Sequence, residues 1–211
     1  MKRNKKAKAG FTLIELSLVI LIIGAVLALV GVRTHTFYFW KEEGFLRSLS
    51  ETIEFLHYQA VMDQAYYRME IDLDKNLYRV GVMKSEDETA YIKSLDPTLG
   101  NIALELAAFL NPGIGSTATF IPPPSIPSLS KPVHPPSGTR FTEVRTMRGK
   151  SNKGKPYIMF SPRGFSEFSV IHLKQQGGDE ITIVVNPFSG RTKIIRGYKD
   201  FIWTYGRRKK T

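Results

Sequence analysis

The sequence predicts an α+β fold in which a long N-terminal α-helix, half transmembrane and half amphipathic, packs on an antiparallel β-sheet domain. Three observations predict it. The run from Phe11 to Val32 is apolar apart from one carboxylate, Glu15. Beyond it, Leu46, Leu49, Ile53, Leu56 and Ala60 recur at alternating spacings of 3 and 4, which draws one apolar stripe along a helix. After residue 66, short alternating apolar runs are separated by Gly, Pro, Asn and Asp turn signals, the pattern of strands and hairpins.

Residues 1–10 form a basic leader, with Lys2, Arg3, Lys5, Lys6 and Lys8 ahead of the apolar run. At about 1.5 Å per residue the run from 11 to 32 spans roughly 33 Å, which matches a hydrocarbon core of about 30 Å. It is longer than the roughly 7–15 residues of a secretory signal core. Arg33, Thr34 and His35 stand where a small-x-small cleavage site would follow. The positive-inside rule keeps the leader cytoplasmic, and the consecutive aromatics Phe37 to Trp40 suit the opposite interface. Residues 11–36 are therefore the expected membrane span. No proline precedes Pro97, so a helix from about 11 to 65 is not forced to break, and residues 37–66 form the expected amphipathic spine of the domain.

Residues 67–211 are expected to be the β-rich domain. In "YRMEIDLDKNLYRVGVM", apolar residues alternate on both sides of Asp74, Lys75 and Asn76, which reads as a hairpin. A proline-rich loop is expected at about 85–140, because eight prolines between 111 and 139 are incompatible with helix or central strand. Order returns at Lys155 with four short strands, separated by Pro162-Arg163-Gly164, Gln176 to Asp179 and Pro187 to Gly190. This spacing predicts an antiparallel meander packed against the Leu46–Ala60 stripe.

Composition excludes several functions. The chain has no cysteine, so disulfides, thiolate catalysis and thiolate metal sites are excluded. The net charge of +11 sits at the two ends. The leader carries +5, the stretch from Arg191 onward +7, and residues 11–190 together −1, unlike a uniformly basic nucleic-acid-binding domain.

Glu15 is the anomaly. A lone carboxylate inside a membrane helix costs on the order of 2.5–3.5 kcal/mol or more, so something must offset it. A glutamate near the helix end can also snorkel to the interface. The surrounding residues, "KAGFTLIEL" from Lys8 to Leu16, resemble the prepilin-type signal of type IV pilins and type II secretion pseudopilins. The resemblance implies a pilin-like fold, cleavage by prepilin peptidase between Gly10 and Phe11, and N-methylation of Phe11. It also implies a role for Glu15 in assembly, because the amine created on Phe11 is a second charge stranded near the bilayer and pairing would neutralise both. The amine could belong to a neighbouring subunit or to the same chain, since Phe11 and Glu15 are one helical turn apart.

Phe160, Pro162, Gly164 and Phe165, then Ser189, Gly190 and Arg191, resemble the C-terminal pattern of H-type minor pseudopilins and FimT-like minor pilins. That likeness implies a minor subunit of a periplasmic pseudopilus for type II protein secretion. Its expected partners are prepilin peptidase, other pilins or pseudopilins in a filament, the inner-membrane assembly platform and the lipid bilayer. The expected location is the bacterial inner membrane, single-pass, with the N-terminus cytoplasmic and the C-terminal domain periplasmic. Two alternatives stay open. One is a minor pilin of a type IV pilus or DNA-uptake machine, in which Arg207, Arg208, Lys209 and Lys210 contact nucleic acid beside Trp203 and Tyr205 rather than forming a frayed terminus. The other is a signal-anchored periplasmic enzyme.

The residues give catalysis little support, and no catalytic residue, cofactor or metal is expected. Asp72, Asp74 and Asn76 begin like a calcium loop, but Leu77 and Met83 stand where Gly and Glu are required, so a hairpin turn explains them. His35, His57, His134 and His172 are scattered, without the spacing of a zinc site. Ser166, His172 and Asp179 lack the nucleophile elbow of a hydrolase, and no glycine-rich phosphate loop is present.

Overall fold

The computed structural model describes residues 12–31, 34–83 and 120–201. It divides into two units, Met1–Lys41 and Glu42–Thr211. The first contains α1, Leu13–Gly31, and the start of α2, which runs Thr34–Met62. Apolar side chains from Leu13 to Leu27 are exposed around α1, so this helix has no core of its own to pack into. Among the described residues, no helix is long and apolar enough to cross a membrane. The 19 residues of α1 give about 28 Å, slightly short of a hydrocarbon core. The longer run read from the sequence adds Phe11 and Val32, which lie outside the described residues.

The second unit is built from α2 beyond Lys41 and two five-stranded antiparallel sheets. Its strands are β1 Tyr67–Asp72, β2 Leu77–Met83, β3 Phe120–Ile121, β4 Arg140–Thr146, β5 Gly149–Ser151, β6 Tyr157–Ser161, β7 Phe165–Ser166, β8 Ser169–Lys174, β9 Glu180–Val185 and β10 Thr192–Arg196. The first sheet has the order β3-β2-β1-β6-β7, the second β10-β9-β8-β4-β5. Leu46, Leu49, Ile53, Leu56 and Ala60 are all buried, as the stripe requires. They meet Met69, Ile71, Val80 and Phe160 of the first sheet and Val144, Ile171, Leu173 and Ile183 of the second in one core. The helix ends at Met62, where Asp63 and Gln64 form a turn and Gln64 takes a positive φ of 50°.

The hairpin forms where the alternation places it. Tyr67, Met69 and Ile71 face inward while Arg68 and Glu70 face out, and Asn76 closes the turn at φ 54°, a conformation Asn tolerates. The expected single meander is instead divided. β6 pairs with β1, whereas β8, β9 and β10 continue as a meander in the other sheet. The chain changes sheets between Ser166 and Ser169, where buried Glu167 and Phe168 break strict alternation.

The loop expected up to about residue 140 is more ordered in its described part. β3 pairs with the end of β2, a 3-10 turn spans Pro127–Ser130, and Val133 bridges Tyr78. The described prolines lie outside the strands, Pro122 to Pro124 following the edge strand β3 and Pro127 opening the 3-10 turn. β4 and β5 were not expected from the sequence. A bulge between Phe141 and Glu143 puts Phe141 and Val144 on the core face at a spacing of three, which hides the period of two.

Candidate processing and assembly site

Thr12 caps α1. Its carbonyl accepts from the amides of Glu15 at 3.1 Å and Leu16 at 3.2 Å, and its hydroxyl accepts a longer bond from the Glu15 amide at 3.4 Å. With Leu13 as the first helical residue, Glu15 occupies the third helical position. Thr12-x-x-Glu15 therefore has the spacing of a capping box, a signal present in the sequence that the charge-based reading passed over. A cap contributes about 1 kcal/mol and an acid in the first turn about 0.3–1 kcal/mol. The cap stabilises the helix start through the Glu15 amide, whereas the dipole acts on the Glu15 carboxylate itself. The helix start thus places Glu15 in the first turn, where a carboxylate is favoured by the dipole. Gly10 and Phe11, immediately upstream, lie outside the described residues, as do Arg207, Arg208, Lys209 and Lys210.

Residues 5–31 match the family model described as the prokaryotic N-terminal methylation motif. The chain carries that motif. The match supports the kinship with type IV pilins and pseudopilins and points to a structural subunit rather than an enzyme. It suggests processing by prepilin peptidase and assembly with other pilins, and it implies an N-terminally anchored, membrane-associated protein. It covers the N-terminal motif and leaves the body unmatched. No curated protein and no solved structure matches the chain.

In this motif-bearing chain, the turn residues of the C-terminal pattern hold α2 in place. Gly190, at φ 65°, lies against His57, whose Nδ1 is 2.8 Å from the Ser166 hydroxyl. Gly164, at φ 80°, faces Val61. One turn back on the helix, the Glu54 carboxylate accepts from the Thr192 amide at 2.9 Å and hydroxyl at 3.0 Å. The two turns and the start of β10 thus close over the helix face from Glu54 to Val61. Charge-assisted bonds of this kind are worth about 1.5–3 kcal/mol, so Glu54→Ala is expected to lower unfolding free energy by about 1–2 kcal/mol. Denaturant titration measures this, and an unchanged midpoint would contradict the clasp.

Ser166, His172 and Asp179 are not brought together as a triad. Ser166 bonds His57, Asp179 is exposed, and His172 lies on the outer face of the second sheet under a C-terminal strap. There the Tyr198 ring stacks on His172 at 4.3 Å, and Thr182 Oγ1 lies 3.2 Å from His172 Nδ1 while accepting from the Lys199 amide. Burial pushes the imidazoles of both His57 and His172 below their usual pKa, the nearby Glu143 opposing it at His172.

Asp72, Asp74 and Asn76 hold backbone rather than metal. They bond the amides of Lys75, Gly154 and Phe141 respectively, and Asn76 also donates to the Thr139 carbonyl. Among the described residues, no group of three or more His, Asp or Glu side chains could hold a metal.

A buried ion pair joins the two sheets. Glu167, in the crossing between them, has no exposed surface. Arg148, in the β4–β5 turn, reaches its Oε2 at 2.9 Å, stacks on the Tyr157 ring at 3.8 Å and donates to the Tyr157 carbonyl. Burial outweighs the guanidinium and pushes the Glu167 carboxyl up to about 7.

Proposed function

We propose that this protein is a minor pseudopilin or pilin subunit, cut between Gly10 and Phe11, N-methylated on Phe11 and assembled into a periplasmic filament for type II protein secretion. The observation that carries the reading is the methylation motif over residues 5–31, in which Glu15 stands one turn from the new amine. The helix dipole offsets part of the charge penalty at Glu15, and the Phe11 amine of a neighbouring subunit supplies the rest, which sets register as each subunit joins. The chain is single-pass in the inner membrane with its N-terminus cytoplasmic and its body periplasmic. Of the residues that carry the likeness to H-type and FimT-like minor subunits, Gly164 and Gly190 lie against Val61 and His57 of α2.

Intact-mass measurement in cells with and without the processing peptidase tests this. The expected result is a peptidase-dependent loss of residues 1–10 and gain of one methyl. A full-length chain in both strains overturns the reading in favour of an uncleaved signal anchor. Glu15→Lys is expected to insert in the membrane yet be excluded from the filament, and normal assembly of that variant would refute the pairing.

A second reading, a type IV pilus or DNA-uptake subunit, is favoured by the concentration of Arg207, Arg208, Lys209 and Lys210 at the C-terminus. A salt-dependent shift of duplex DNA that disappears on deleting residues 207–210 would support it.

A further inference from the structure

The β4–β5 turn and the approach to β6 line an open pocket of about 370 Å³. Four cations line it, Arg148, Lys150, Lys153 and Lys155, together with the hydroxyl residues Thr146 and Ser151. Among the described residues, no carboxylate lines it. Cations converging on a cavity repel one another unless something stands behind them or between them. Here the acids stand behind three of the four. Glu167 meets Arg148 at 2.9 Å, Glu143 meets Lys150 at 2.7 Å, and Asp72 meets Lys155 only at 3.9 Å. Lys153 has no carboxylate partner among the described residues. Lys155 is half exposed and only loosely held, so Lys153 and Lys155 retain donors for a ligand.

The backbone around the pocket is open as well. Gly149 and Gly154 turn at φ 138° and 78°, with nothing within 4 Å of where a side chain would begin, so an incoming group can approach the main chain closely. Tyr157 closes one wall, its ring stacked on the Arg148 guanidinium. Lysine ammonium groups bind phosphate as point charges and hydroxyls add directional bonds. The lining charge, four cations and no carboxylate among the described residues, suits a phosphoryl or sulfate group.

We propose that this pocket is an oxyanion-binding site that takes a phosphate group, with Lys153 and Lys155 as its principal contacts. The phosphate could be that of a soluble ion or of a lipid headgroup, and the test separates them. The full chain in maltoside micelles, which carry no phosphate, is titrated with sodium pyrophosphate while the amides of Gly149, Ser151 and Gly154 are followed by NMR. In a second arm the chain is placed in phosphatidylcholine bicelles with and without phosphatidylglycerol.

Saturable shifts at those amides with pyrophosphate support the site for a soluble ion. Shifts that require phosphatidylglycerol support it for a headgroup. Lys153→Gln/Lys155→Gln is expected to weaken either by about tenfold or more with an unchanged melting temperature. Lys153→Glu, which breaks no existing pair, provides the same test should the double variant fold poorly. The absence of saturable shifts in both arms, or wild-type affinity in the well-folded charge variants, overturns the proposal.

Discussion

Arg148→Ala is expected to lower unfolding free energy by about 3–5 kcal/mol at pH 8, the usual consequence of leaving a buried charge without its partner. The Arg148 guanidinium is 2.9 Å from a carboxylate with no solvent exposure. The loss should shrink at pH 5. There the Glu167 carboxyl, which burial pushes up to about 7, is protonated and needs no counter-charge. Guanidinium titrations at the two pH values measure both effects, and a loss below about 1 kcal/mol at pH 8 would show the pair to be dispensable.

The same carboxyl gives the wild type a definite pH dependence. Between its ordinary value of 4.5 and about 7, folded Glu167 keeps a proton that the unfolded chain releases. Its contribution is therefore fully present below pH 4.5 and is lost as pH rises to about 7, amounting to about 3 kcal/mol at 1.4 kcal/mol per unit. His57 and His172 act in the opposite direction. Held neutral by burial, they add stability as pH rises toward 6.5, where the unfolded imidazoles deprotonate. The measurement is thus the difference between wild type and Glu167→Gln across this window, which removes only the first slope.

Gly190→Ala is expected to be nearly as disruptive. The added Cβ would lie 2.3 Å from His57 Cγ and 2.4 Å from His57 Cβ, and a φ of 65° already disfavours any side chain. The left-handed conformation costs about 1–2 kcal/mol and overpacking typically 1–3 kcal/mol, so a combined loss of about 2–5 kcal/mol is expected. The ring of His57 can rotate away only by giving up Ser166, while its Cβ is fixed to α2 and cannot rotate at all. Gly178, at φ 89° with nothing within 4 Å, is the control. Gly178→Ala incurs the conformational penalty alone, so equal melting shifts for the two variants would dismiss the close approach.

Much of this architecture can be read from the residues because one dominant force acts on each element. The stripe from Leu46 to Ala60 and the alternation around Asn76 report burial directly, and both reappear in the core. Where two requirements compete, the signal is lost. The bulge after Phe141 breaks the period of β4, and Glu167 interrupts the β7–β8 region with a charge that only the tertiary pair with Arg148 makes tolerable. Partnership between distant turns and α2 is equally silent, since nothing local in "PFSGR" announces His57. At the N-terminus the reverse holds. Thr12 and Glu15 stand at the spacing of a local capping motif, and attention to charge alone obscured it.

One pairing also bears on how this chain can change. Met83 and Phe120 stand opposite each other at the junction of β2 and β3, so whatever connects them enters and leaves through a single gate. Closing a longer or shorter connection there changes the free energy by only about 0.6 kcal/mol per doubling of length. The β2–β3 ladder thus fixes the two ends of the connection side by side, whatever its length.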